Sequence, residues 1–68
     1  MRTTDQIIYE LELSRSGSNV HTVNKAIFYL RYFIAKQDDR LEAHSRNCCK
    51  ALDDGRFDLL AYTMRRLW

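Results

Sequence analysis

The sequence predicts an all-α fold, and three observations support that prediction. The 68 residues contain no proline and only two glycines, Gly17 and Gly55, which divide the chain into three segments. Apolar residues recur at the three- and four-residue spacings of helices and do not alternate as in strands. They make up 46% of the chain, too large a share for a disordered tail. We therefore expect one helical domain spanning residues 1–68, with a short helix, a long central helix and a short C-terminal helix.

The first segment predicts a short helix over about residues 4–13. One face of that helix carries its apolar side chains, which are Ile7, Ile8 and Leu11. The residues suited to cap its N-terminus are Thr3, Thr4 and Asp5. The polar stretch over residues 14–19 then predicts a loop.

The second segment carries a long stripe at alternating spacings of three and four residues. Its positions are Val20, Val23, Ile27, Leu30, Ile34, Gln37, Leu41, His44, Cys48 and Ala51. A 3.5-residue period held over this length is typical of paired helices. We therefore predict one continuous helix over about residues 19–54, roughly 50 Å long. The alternative is a break at residues 37–39, where an aspartate would cap a new helix.

The last segment predicts a helix over about residues 56–68. Gly55 is placed to adopt the left-handed conformation that ends the preceding helix. The apolar face of the last helix comprises Phe57, Leu60, Ala61, Met64 and Leu67. Asp58 in the first turn and Arg65 and Arg66 in the last turn suit the helix dipole.

The length of the predicted central helix favours a homodimer. The two flanking helices would cover only roughly 35 Å of its 50 Å, and residues 26–34 are apolar nearly all the way round. A second copy of the chain is the commonest way to bury such a surface. The predicted dimer interface comprises Val23, Ile27, Leu30, Ile34, Gln37 and Leu41.

Catalytic and metal-binding chemistry has little support in the sequence. His44 and Cys48 lie four residues apart and would share a helix face, as two metal ligands do. Both also lie on the apolar stripe, and buried cysteine is common in protein cores, so we interpret the pair as core. Because no Ser-His-Asp or Cys-His catalytic set is legible, we expect no enzyme, no metal and no cofactor.

The compartment predicted from the sequence is the cytoplasm. Cys48 and Cys49 are adjacent, and neighbouring residues on a helix cannot easily form a disulfide with each other. The longest apolar run, residues 26–35, is interrupted by Arg31 and is far shorter than the ~20 residues of a membrane span. The opening residues show no signal-peptide pattern, so we expect a reducing compartment and no membrane contact.

A group of aromatic and basic residues predicts a protein-binding surface. Phe28, Tyr29 and Tyr32 lie off the apolar stripe, and Arg31 and Lys36 flank them. Exposed tyrosine and arginine are favoured at protein interfaces, and the basic residues suit a partly acidic partner. The alternative is that the aromatic rings pack against the first and last helices. This surface predicts a small non-enzymatic regulator, an adaptor or inhibitor that binds a larger protein.

Charge favours a second function, the binding of DNA or RNA. Residues 13–37 contain four basic residues and no acid, a net charge of +4 that suits phosphates. Within them, residues 17–27 (GSNVHTVNKAI) resemble the turn and recognition helix of helix-turn-helix repressors of the small phage Cro type. The resemblance implies that Gly17 makes the turn and that Val23 locks the two helices.

The same resemblance implies a DNA-facing set of residues, to which Arg31 adds a further basic side chain. That set comprises His21, Asn24 and Lys25. The chain departs from the family upstream, with Leu13 where a small residue stands and Ser16 where an apolar contact stands. The alternative function is therefore a small transcriptional regulator that uses a helix-turn-helix-like segment around residues 17–36.

Overall fold

A computed structural model describes residues 2–67. Over these residues it contains helices and no strand, which confirms the all-α prediction. A short 3-10 turn, Gly17–Asn19, precedes the second of four α-helices. The helices are α1 (Thr4–Ser14), α2 (Val20–Lys36), α3 (Arg40–Asp54) and α4 (Phe57–Arg65).

Helix α1 begins at a reciprocal cap. The Thr3 hydroxyl accepts a hydrogen bond from the Gln6 backbone N–H at 3.2 Å, and the Gln6 side chain accepts one from the Thr3 N–H at 2.8 Å. Each bond satisfies a donor that the first helical turn leaves without a partner. The helix buries Ile7, Ile8 and Leu11, the face predicted from the sequence.

Asn19 organises the connection between α1 and α2. Its side chain accepts from the Ser16 backbone N–H at 2.8 Å and donates to the Ser14 carbonyl at 3.0 Å. Gly17 adopts a left-handed φ of +52°, a conformation that costs glycine little. These local bonds end α1 and set the position at which α2 begins.

The prediction of one central helix over residues 19–54 is wrong, and the alternative break at residues 37–39 is present. Helix α2 ends at Lys36 because Gln37 adopts the left-handed conformation, with φ +51° and ψ +44°. The Gln37 N–H donates to the Ile34 carbonyl at 3.2 Å, and the Asp38 N–H donates to the Phe33 carbonyl at 3.0 Å. This pair of bonds is the Schellman motif, in which glycine usually occupies the left-handed position.

Asp38 and Arg40 hold the bend between α2 and α3. The Asp38 carboxylate accepts the Arg40 backbone N–H at 2.9 Å and the Arg40 guanidinium at 2.6 and 3.0 Å. These hydrogen bonds lower the pKa of Asp38 to about 2. The Arg40 guanidinium also donates to the Leu67 carbonyl at 2.8 Å, which ties the bend to the end of the chain.

Gly55 ends α3 as predicted, with φ +66°, and the Arg56 N–H donates to the Ala51 carbonyl at 3.1 Å. Helix α4 ends at Arg65, which is shorter than the predicted range of 56–68, and Trp68 lies outside the described residues. Its predicted inner face is confirmed. Leu60 and Met64 are buried, Phe57 and Leu67 are partly buried against the core, and Ala61 is half-buried.

The core lies between α2 and α3, and α1 and α4 each pack against both. Its buried apolar residues are Ile7, Ile8, Leu11, Val23, Ala26, Ile27, Tyr29, Leu30, Phe33, Cys48, Ala51, Leu60 and Met64. His44 is the one polar residue buried among those described, and its imidazole Nε2–H donates to the Ala26 carbonyl at 3.0 Å. Helix α3 is therefore joined to α2 by a polar bond as well as by apolar contacts.

Half of the predicted dimer interface is buried within the chain, because α3 folds back onto α2. Val23, Ile27 and Leu30 are buried inside their own chain, so they do not form a surface for a second copy in this fold. Ile34 and Gln37 are exposed and Leu41 is half-buried. The physical reason is the left-handed Gln37, which lets α3 cover the face of α2 that the prediction left for a partner. The homodimer itself stays a prediction.

Two further predictions concern the cysteines and the membrane. Cys48 is buried, Cys49 is half-buried, and both are free thiols, as the adjacency of the pair predicts. None of the helices within residues 2–67 combines the length and the apolar character that crossing a membrane requires.

Candidate functional site

The solvent-facing side of α2 brings together most of the residues that the sequence singled out for binding. We call it the α2 outer face. Because α2 buries one side in the core, residues about one turn apart on its other side project outward. The α2 outer face comprises His21, Asn24, Lys25, Phe28, Arg31, Tyr32 and Lys36.

Phe28 lies near the middle of this face, and 60% of its surface is exposed. Its ring stacks on the ring of Tyr32, with centroids 6.2 Å apart and planes 21° apart. The Phe28 ring also makes a tilted contact with the Tyr29 ring, with centroids 5.9 Å apart. An exposed apolar ring is thus held in place by neighbouring aromatic rings.

Tyr29 is not part of the exposed face, contrary to the prediction that it binds a partner. It is 8% exposed, and its ring lies 5.9 Å from the rings of both Phe33 and His44. Tyr29 therefore packs inside the chain, although these two rings belong to α2 and α3 and not to the first and last helices that the alternative named. Tyr32 is half-buried and lies between the core and the surface.

The charge of the α2 outer face is uniformly positive, since α2 contains no acidic residue. The Lys25 ammonium lies 6.0 Å from the Tyr29 ring centroid, and the Lys36 ammonium lies 6.0 Å from that of Tyr32. Arg31 makes a long contact of 3.9 Å with Glu12 of α1, and both side chains are well exposed. Such exposed pairs contribute little energy, so Arg31 stays available to a partner.

A shallow groove of about 220 Å³ borders the α2 outer face on the side of α1. Its lining residues are Glu12, Arg15, Asn24, Ile27, Phe28 and Arg31. Arg15 crosses the groove and donates to the Asn24 side-chain oxygen at 2.8 Å. No sequence pattern places Glu12 and Arg15 beside Phe28, because only the packing of α1 on α2 brings them together.

The residues predicted to contact nucleic acid, namely His21, Asn24, Lys25 and Arg31, are all exposed on α2. Some features implied by the helix-turn-helix resemblance are present as well. Gly17 is left-handed, α2 begins at Val20, and Val23 is fully buried.

The connection before Gly17 differs from that resemblance. Helix α1 ends at Ser14, and both Arg15 and Ser16 are extended. Leu13, at the position where the family has a small residue, is 68% exposed and does not pack between the helices.

His44 and Cys48 occupy the core, as interpreted from the sequence. The imidazole Nε2 lies 3.7 Å from the Cys48 sulfur and donates its proton to the Ala26 carbonyl. Burial lowers the pKa of His44 and raises the pKa of Cys48 to about 12. The thiol is therefore protonated at neutral pH. Within residues 2–67, no three His, Cys, Asp or Glu side chains are grouped to hold a metal ion.

A second groove of about 250 Å³ lies between α3 and α4. Ala51 and Leu60 form its floor, and Leu59 and Tyr62 stand exposed beside it. Its charged residues are of both signs, namely Lys50, Asp54 and Arg56. The groove therefore mixes charges of both signs, whereas the residues of the α2 outer face include no acidic side chain.

Comparisons of the chain with protein-family models, with curated proteins and with solved structures gave no match. The function proposed for the chain therefore rests on the chemistry of its own surface. The strongest chemical signal on that surface is an exposed aromatic ring on a helix face that carries only positive charge.

Proposed function

We propose that the chain is a small non-enzymatic interaction protein, an adaptor or inhibitor that binds a larger protein through the α2 outer face. One observation carries the proposal: Phe28 is 60% exposed on a helix that has basic residues and no acidic ones. Large aromatic side chains that become buried on binding dominate the energy of protein interfaces.

The Phe28 ring suits the role of an anchor on energetic grounds. Complete burial of a phenylalanine side chain stabilises by about 1.5–3 kcal/mol. Its stacking on Tyr32 restricts the ring before binding, so a partner has less side-chain freedom to remove. The groove between α1 and α2 lies beside the ring and gives the partner backbone a place to lie.

The surrounding charges favour an acidic partner surface. Lys25 and Lys36 form no ion pair within the described part of the chain, and Arg31 forms only its long contact with Glu12. Complementary charges at the rim of an interface mainly raise the association rate and fix orientation. The proposal also places the protein in the cytoplasm, in keeping with its two free cysteines.

The test is capture of a partner from the source cells under crosslinking, using matched variants. Wild type and Tyr62→Ala, which alters the groove between α3 and α4, are expected to retain the same protein. Phe28→Ala and the double variant Lys25→Glu/Arg31→Glu are expected to lose it. Circular dichroism of each variant shows that the fold persists. A partner that Phe28→Ala retains and Tyr62→Ala loses contradicts the proposal.

A second candidate function, binding of duplex DNA or of RNA, is favoured by one specific arrangement. His21, Asn24 and Lys25 are exposed on the first turns of a helix that follows the left-handed Gly17. Binding through phosphates weakens steeply with salt, because counterions are released. A gel shift with random duplex and RNA at about 50–100 mM salt tests this function. Binding that Asn24→Ala and Lys25→Ala abolish would favour it over the protein partner.

A further inference from the structure

The bend between α2 and α3 is built on a residue that does not favour its conformation. The chain ends two helices with a left-handed residue, and Gly55 adopts that conformation without a Cβ penalty. Gln37, the counterpart at the end of α2, is the only non-glycine residue with positive φ among those described. A side chain in this region is disfavoured by the clash of its Cβ with the backbone.

The sequence around the bend is compatible with a continuous helix. Residues 37–39 contain neither glycine nor proline, and the three-four spacing of the apolar stripe passes through Gln37 without a shift in phase. In the bent chain, the Asp38 carboxylate and the Arg40 guanidinium are the groups that hold the corner. The segment is therefore compatible with two backbone arrangements, the bend and a continuous helix.

The contacts between α2 and α3 do not depend on which chain supplies each helix. The His44 Nε2–H bond to the Ala26 carbonyl joins the two helices, as do the edge-on contacts of the His44 ring with Tyr29 and Phe33. We propose that two copies of the chain exchange halves. In the exchanged dimer, residues 37–39 are helical, and α1 and α2 of one copy pack on α3 and α4 of the other.

The equilibrium between the bent monomer and the exchanged dimer depends on which interactions the exchange keeps, relieves or removes. The core contacts are kept, two left-handed glutamines are relieved, and the hydrogen bonds at the two corners are lost. The exchange also costs the translational freedom of one chain, so the dimer is favoured by concentration. The exchange is argued from contacts on the inner side of α2 and not from the α2 outer face, so the proposal goes beyond the proposed function and does not depend on it.

Substitutions of Gln37 test the proposal, because its side chain is exposed and takes no part in the core. Gln37→Gly stabilises the left-handed bend and destabilises the helical form, so the ratio of the helical to the bent form falls by about tenfold per chain. Because the dimer contains two chains, the dimerisation constant is expected to fall about 100-fold. Gln37→Ala keeps the Cβ penalty and is the better helix former, so the constant is expected to rise about fourfold. The readout is light scattering after refolding at about 1 mM protein, a concentration at which a weak dimer with a Kd below 1 mM is populated.

A mixed-label NMR sample distinguishes exchange from side-by-side association. The rings of Tyr29 and His44 lie 5.9 Å apart within one chain. A dimer of labelled and unlabelled Gln37→Ala is expected to show the nuclear Overhauser effect between these rings across chains. A dimer that lacks this signal overturns the proposal, and so does a Gln37→Ala protein that stays monomeric. Equal dimerisation of Gln37→Gly and Gln37→Ala overturns it as well.

Discussion

His44 is the buried residue whose protonation makes the stability of the core depend on pH. It is fully buried, and the aromatic rings of Tyr29 and Phe33 and the thiol of Cys48 surround it. Its hydrogen bond to Ala26 requires a proton on Nε2, which neutral imidazole can supply. The charged form gains no carboxylate partner in this environment, and burial therefore lowers the pKa of His44.

The lowered pKa of His44 predicts a loss of stability in mild acid. Unfolded histidine titrates near 6.5, so below this pH the unfolded chain binds a proton that the folded chain does not. The free energy of unfolding is expected to be nearly constant between about pH 7 and pH 8. It is expected to fall as the pH is lowered from about 6.5 towards 5, at up to about 1.4 kcal/mol per pH unit. Urea unfolding at several pH values measures it.

His44→Gln is the control for this effect. It keeps a side-chain donor of similar size, so it is expected to lower stability by about 1–2 kcal/mol at pH 7 and to flatten the pH dependence between 7 and 5. An unchanged slope in His44→Gln would show that another group causes the acid sensitivity.

The same substitution, phenylalanine to leucine, is expected to change stability by different amounts at Phe28 and at Phe33. Phe28 is on the surface, and Phe33 is fully buried beneath the Arg40 guanidinium, which lies 5.0 Å from its ring centroid. Phe28→Leu is expected to change the free energy of unfolding by less than about 0.5 kcal/mol. Phe33→Leu is expected to lower it by about 1–2 kcal/mol, because the smaller side chain leaves a cavity. Comparable losses in the two variants would show that Phe28 is part of the core.

At the scale of whole elements, the sequence predicted most helix boundaries but not the end of α2. The cap of α1 at Thr3 and the end of α3 at Gly55 carry residue types that favour those positions. Gln37 adopts the conformation of Gly55 without being glycine, so residue type gave no signal there. The apolar stripe continues through the bend because α2 and α3 both face the same core. In sequence, this spacing is the same as that of one long helix.

The two left-handed residues predict a matched pair of stability changes at these helix ends. Gln37→Gly is expected to raise the free energy of unfolding of the monomer by about 0.5–1 kcal/mol, since it removes the Cβ penalty. Gly55→Ala is expected to lower it by about 1–2 kcal/mol, although no atom lies within 4 Å of the added Cβ. Urea unfolding at micromolar protein measures both. A stabilising Gly55→Ala would contradict the assigned conformation.

The N-terminal cap of α1 predicts an effect that is greatest in the first turn of that helix. Thr3→Ala removes the acceptor for the Gln6 N–H and is expected to cost about 1 kcal/mol. Amide hydrogen exchange is expected to quicken in the first turn of α1 more than in α3 or α4. Uniform quickening in all helices, with no excess in α1, would show that Thr3 stabilises nothing locally.

The sequence predicted the α2 outer face in part. Phe28, Arg31 and the two lysines were identified from spacing and charge, and they are exposed. Residues 26–34 are apolar in sequence nearly all round, so pattern alone did not distinguish exposed Phe28 from buried Tyr29. That distinction depends on where α1 and α3 pack, and the same packing adds Arg15 and Glu12 to the surface.

At the scale of the whole molecule, one chain forms its own core because it bends at Gln37 and α3 packs on α2. The described residues extend over 31 × 24 × 17 Å, far less than the roughly 50 Å of an unbroken central helix. In this bent form the chain's own α3 covers the inner face of α2, which leaves the α2 outer face as the side open to a partner.

Small-angle X-ray scattering at micromolar concentration shows whether the free chain is bent at Gln37. We expect a monomeric particle whose radius of gyration is close to the 10.7 Å of the Cα atoms, enlarged slightly by side chains and hydration. A monomeric particle with a maximum dimension of about 50 Å or more would show that residues 20–54 form a straight helix in the free chain. That result would contradict both the bend at Gln37 and the surface assigned to α2.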